Sequence, residues 1–207
     1  MKKIIGIFIF VSLVSCVTTK YDLKTDLKIE TLSICVNYSD LVPNNIRYRF
    51  DEIAYNFVNE YNKTQHEFKL SLCDDSTNSA LNIYIRNTIL VTTGRQIYST
   101  IVSVCGLSLP FIMIAAECPF IVLFYTFPND VTYVSLKLTP DLSPFNKVYY
   151  RHFENSGYLR NQKKQIFKHG IEFNRFLNKE LEKIEKQYRH NKEVEMLHNI
   201  STKSKQN

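Results

Sequence analysis

The chain has 207 residues, 44% of them apolar and 13% aromatic, with no Trp and a formal net charge of +6. That length and apolar fraction suit one globular domain and exclude a chain disordered throughout. Lys2 and Lys3 carry part of the positive excess and residues 128–207 the rest, where Lys and Glu interleave; this pattern is that of a solvated helix face, so no nucleic-acid partner is expected.

Residues 1–16 read MKKIIGIFIFVSLVSC. Lys2 and Lys3 form a positive start, and Ile4 to Val14 form an apolar stretch too short to cross a bilayer, which needs about 20 residues. The length and flanks are those of an export signal. It ends in Leu13-Val14-Ser15-Cys16. This ending resembles the lipobox of bacterial lipoproteins. The resemblance implies lipidation of the Cys16 thiol, cleavage between Ser15 and Cys16, and a bilayer partner held through acyl chains. Two or three chains hold firmly, at roughly 0.8 kcal/mol per buried CH₂. Val17, where some lipoproteins carry Asp, implies an exported protein of the outer membrane rather than the inner. The resemblance covers 16 residues and matches the mature domain to no family. Residues 1–15 are therefore read as signal peptide and 16–27 as a lipidated tether.

Residues 28–188 are read as one domain. Leu27 to Val36 predicts a first strand. Ser39-Asp40 and Pro43 announce a helix, and Ile46, Phe50, Ile53, Phe57 and Tyr61 mark its apolar stripe to about Asn62. Phe68, Leu70 and Leu72 alternate as a second strand, and Asp74 to Asn78 is turn chemistry. Leu81, Ile83 and Ile85 alternate with Asn82, Tyr84 and Arg86, a third strand with one wet face. Thr93-Gly94-Arg95 ends it.

Residues 97–127 are apolar apart from Glu117. The alternation of Val102, Val104, Leu107 and Leu109 predicts extended backbone up to Pro110, and the β-branched and aromatic run after Pro119 predicts another strand. A hairpin-like insert follows from this; whether it is internal core, an exposed loop meeting lipid or a partner, or a membrane span stays open. On the second of these, Leu107, Pro110, Phe111, Phe120 and Phe124 are the candidate contacts to membrane or partner, an envelope protein or a second copy.

Val131 to Leu138 is a further strand, Pro140 and Pro144 punctuate a loop, and Lys147 to Phe153 predicts one more strand. Ile166, Phe173, Leu177, Leu181, Ile184 and Tyr188 mark a long amphipathic helix containing Gly170, which signals close packing or a bend. Residues 189–207 read as a polar flexible tail. The order predicts an α/β chain of the α+β two-layer sandwich type, one mixed sheet of about five or six strands with two amphipathic helices and the apolar insert.

Chemistry is sparse. Cys35, Cys73, Cys105 and Cys118 are either small buried apolar residues or candidates for disulfides in an exported chain, with Cys35 and Cys73 on strands that could be neighbours and Cys105 and Cys118 bracketing Pro110 so as to close a loop. No spacing suggests a metal or cofactor, and none is expected. Tyr149-Tyr150 with Arg151 is a candidate stacking group. An envelope hydrolase would need a nucleophile and base gathered near Asp74, His66 or His152, and a pore or secretion accessory would use residues 97–127. The reading carried forward is non-enzymatic: binding, scaffolding or assembly at the membrane.

Overall fold

The computed structural model describes residues 20–25, 27–73, 80–108, 129–156 and 161–204. Five strands form one mixed sheet: β1 (Thr31–Tyr38), β2 (Lys69–Leu72), β3 (Ala80–Ile89), β4 (Asn129–Leu138) and β5 (Val148–Ser156), in the order β2-β1-β3-β4-β5. β1 lies parallel to both β2 and β3. β3 with β4 and β4 with β5 are antiparallel. Three helices complete the fold: α1 (Asn44–Tyr61), α2 (Thr93–Ser108) and α3 (Gln162–Ser204).

The period-two pattern sets which face is covered. Leu32, Ile34, Leu70, Leu81, Ile83, Ile85, Val134, Leu136 and Leu138 all point to one face and are buried. α1 lays Ile46, Phe50, Ala54 and Phe57 on it, and α3 adds Phe173, Leu177, Leu181 and Ile184. Phe50 and Phe173 stack at 4.4 Å between ring centres where the two helices meet the sheet. Gly170 lies at that helix crossing. A Cβ there would stand 2.9 Å from Arg49 Nε, so the glycine permits close approach rather than bending the helix.

Four segments differ from the sequence expectation. Pro43 occupies the N-cap position of α1, while Ser39 and Asp40 stand in the preceding turn, where Ser39 Oγ accepts the Leu41 N–H at 3.2 Å. Residues 97–108 belong to helix α2, not to an extended hairpin arm. The tail is helical to Ser204, because nothing between residues 189 and 204 interrupts α3: the stretch holds neither Gly nor Pro. The tether gives way to the folded body by Tyr21. Tyr21 and Leu23 are buried, and the Tyr21 hydroxyl donates to Glu180 Oε2 at 2.6 Å on α3. Burial and the Glu180 carboxylate both raise the Tyr21 phenol's pKa.

Cys35 on β1 and Cys73 just after β2 form a disulfide. It closes the point where the chain leaves its edge strand. Among the described residues no helix is long and apolar enough to cross a membrane.

Candidate ligand-binding face

Among the described residues no helix covers the second face of the sheet, and its side chains fall into rows set by the strand register. Asn82, Lys137 and Val148 stand side by side, and Tyr84, Ser135 and Tyr150 form the next row. Asn37 on β1 pairs with Tyr84 and extends that row. Past a register shift between Ile85 and Asn87, Tyr133 and His152 form a third. Tyr84, Tyr133 and Tyr150 are 44%, 43% and 64% exposed, an unusual aromatic load for a wet face. A shallow cleft of about 460 Å³ runs over it, lined by Asn37, Tyr38, Asn82, Tyr84, Lys137 and Val148, with Ser135 in its floor.

The guanidinium of Arg86 reaches across β4 and lies 5.3 Å from the centre of the Tyr150 ring. Among the described residues, neither Arg86 nor Lys137 has a carboxylate partner. The strand pleat separates the three residues that looked like one stacking group. Tyr149 points into the core, where it meets Tyr21 edge-on at 4.8 Å, and Arg151 points the same way toward Glu180 at 3.7 Å. Only Tyr150 reaches the open face, and its cation comes from β3. Tyr84 and Arg86 were visible as wet-face positions of one strand, whereas Tyr133 and Lys137 were not singled out in theirs. Their assembly into one surface depends on the register.

A second groove, of about 530 Å³, lies between α1 and α3 and is edged by Tyr61, Thr64, His66 and Glu185. His66 Nδ1 stands 2.9 Å from Glu185 Oε1, and its Nε2 stands 2.6 Å from Thr64 Oγ1. Hydroxyl, imidazole and carboxylate in that order are the members of a nucleophile relay. Their setting is that of a pin. Tyr61 covers the imidazole at 3.6 Å between ring centres and shares the Glu185 oxygen. The N–H groups of Asn62, Lys63 and Thr64 donate to the carbonyls of Val58, Glu60 and Tyr61. Those three amides are thereby engaged within the turn, and the contacts fasten the end of α1 to α3.

The other sequence candidates lie apart. Cys105 and Leu107 belong to α2. Asp74, Ser15, Cys16, Pro110, Phe111, Cys118, Phe120 and Phe124 lie outside the described residues. α2 begins with an inverted distribution: Gln96 and Ser99 are buried, while Ile97, Tyr98 and Ile101 are 46%, 70% and 56% exposed. Among the described residues no group of three or more His, Cys, Asp or Glu is placed to hold a metal ion.

No family model matches the chain, and no curated protein matches it. Solved structures do. A protein from Helicobacter pylori provisionally described as a neuraminyllactose-binding hemagglutinin homolog superposes with a TM-score of 0.42 and 8% identity, over 85% of this chain and 99% of its own. A PelC dodecamer from Paraburkholderia phytofirmans gives 0.37 and 9%, over 77% and 90%. A minor lipoprotein from Acinetobacter baumannii gives 0.33 and 9%, over 78% and 96%. Likeness at this level assigns no function to the present chain.

Proposed function

We propose that this chain is a lipid-anchored protein of the bacterial envelope whose folded domain is a binding module rather than an enzyme. The lipobox Leu13-Val14-Ser15-Cys16, directly after an export-type apolar stretch, is the observation that carries the reading. The packing of Tyr21 supports it. That buried ring lies only five positions after Cys16, and an extended chain of five steps reaches at most about 18 Å. The lipid on Cys16 thus holds the domain close against the bilayer, on the outer membrane by the Val17 reading. The uncovered sheet face supplies a concave polar and aromatic surface of the kind that binds.

The test is the mass of the chain purified from membranes. The expected product begins at Cys16 and carries acyl mass on that residue. A Cys16→Ala variant should keep its signal sequence and carry no lipid. A membrane-derived chain that starts elsewhere, or carries no acyl group, sinks the reading. A second reading, assembly with copies or partners through residues 97–127, is favoured by the outward Ile97, Tyr98 and Ile101 of α2.

A further inference from the structure

We infer that the open sheet face binds an acidic glycan, with sugar rings against Tyr84 and Tyr150 and their acid groups at Arg86 and Lys137. The inference rests on the binding-module reading and gives it a ligand class. The register places Tyr84, Ser135 and Tyr150 on three adjacent strands. Strands stand about 4.8 Å apart, so the two tyrosines rise about 10 Å apart with only a serine hydroxyl between them. Tyr84 and Ser135 line the cleft, and the register sets Tyr150 on the strand beside Ser135. The C–H face of a pyranose ring carries slight positive charge and settles on the negative face of a tyrosine. The hydroxyl groups of the same ring need fixed donors and acceptors. Asn37 and Asn82 each offer both, and Ser135 adds a third such group.

Charge then selects among sugars. Lys137 lines the cleft and Arg86 is held over Tyr150 in the adjacent row, neither with a carboxylate to neutralise it among the described residues. Glu154, also on this face, lies toward the far end of β5, where it accepts from Asn129 Nδ2 at 3.1 Å. Two unneutralised cations beside two exposed rings suit a sugar bearing carboxylate or sulfate. Nucleic acid would require a longer run of cations tracking successive phosphates. A flat lipid surface would not use the concavity, whose 460 Å³ lies in the range of small-ligand sites.

The experiment is calorimetric titration of the full-length protein, purified in detergent from membranes. The probes are an oligogalacturonate, a sulfated heparin tetrasaccharide, a neutral gluco-oligosaccharide of matched length and phosphatidylglycerol vesicles. Binding to at least one acidic oligosaccharide and not to the neutral one is expected, weakening as salt is raised. Tyr84→Ala, Tyr150→Ala and Lys137→Gln should each raise Kd by about tenfold. Tyr48→Ala, on the opposite side of the molecule and 83% exposed, should leave it unchanged. The tyrosines are exposed enough for the variants to keep the parent's circular dichroism. The inference is overturned if neither acidic probe binds, if the neutral sugar binds equally, if the variants bind like the parent, or if only vesicles bind. Mass analysis of the same preparation separates the two readings: a glycan bound without lipid on Cys16 removes the anchor alone, and a lipidated chain that ignores both acidic sugars removes the ligand alone.

Discussion

His169 makes the stability of this fold acid-sensitive. The imidazole projects from α3 and is fully buried, with Thr132 Oγ1 against its Nε2 and with Phe50 and Phe153 at 6.0 and 5.1 Å between ring centres. Its Nδ1 is buried and has no hydrogen-bond partner among the described residues. Burial lowers its pKa from 6.5 to about 4. Between those values the unfolded chain binds a proton that the native chain refuses. Stability is therefore complete above about pH 6.5 and falls as pH drops toward 4. A shift of this size corresponds to about 3 kcal/mol in all, of which about 2 kcal/mol is lost by pH 5. His169→Phe removes the titrating group, keeps the ring volume and leaves Thr132 its contact with Thr88 Oγ1 at 2.9 Å. Urea unfolding of both proteins at pH 7.5 and 5.0 cancels the groups they share. The parent should lose about 2 kcal/mol more than the variant over that interval. Equal pH dependence in the two proteins, or an imidazole in the folded parent that titrates near 6.5, refutes the reasoning.

The Cys35–Cys73 bond spans 38 residues, for which loop-closure entropy gives about 4 kcal/mol of stabilisation. Denaturant midpoints of the parent and of Cys35→Ser/Cys73→Ser measure it, and a change below about 1 kcal/mol contradicts the assignment. Tyr21→Phe deletes the donor to Glu180 but leaves the ring in place. It should cost about 1–3 kcal/mol and speed amide hydrogen exchange in residues 20–24 more than in β3. Uniform acceleration across both would show that this segment opens only with the whole domain.

Five strands and two helices were legible because each carries a clean period: two along β1 to β5, and spacings of three and four along α1 and α3. α2 was not. Ile97, Ile101 and Cys105 recur every four residues, while Val102, Val104, Leu107 and Leu109 recur largely every two. Both periods coexist, and the β-branched residues tipped the balance toward strand. The open face was hidden for another reason. Adjacent letters suggested that Tyr149, Tyr150 and Arg151 act together, but alternation sends the middle residue outward and its neighbours inward. The pairing of Arg86 with Tyr150 joins β3 to β5 across β4, and strand order is not written in local pattern. Gly170 was conspicuous in the sequence, but its role required Arg49, 121 positions earlier and on another helix.

The position of the anchor bears on what the apolar stretch can touch. Tyr21 docks at the end of the sheet where β4 finishes and β5 begins: Lys147 pairs with Asp22 at 3.1 Å, and Lys24 N–H donates to the Leu142 carbonyl at 3.0 Å. The chain enters α2 from the other end of β3, just after Ile89, and rejoins the body at Asn129, the far end of β4. Ten residues of β4 separate the two ends, about 30 Å at strand rise. A lipid on Cys16, as proposed, would lie within about 18 Å of Tyr21, which would put both stems of the 97–127 stretch on the side of the domain remote from the anchor. α2 makes no extensive packing with any other described element that would carry it back along the sheet. Under the proposed anchoring, the exposed Ile97, Tyr98 and Ile101 would start from the side of the domain remote from the leaflet that holds Cys16. The Cys16→Ala chain, exported behind a signal that adds no lipid, should come away from membranes under an alkaline carbonate wash. Retention in the pellet would mean that the apolar stretch reaches the bilayer unaided, and the separation of the two ends would then not govern the docking of this domain.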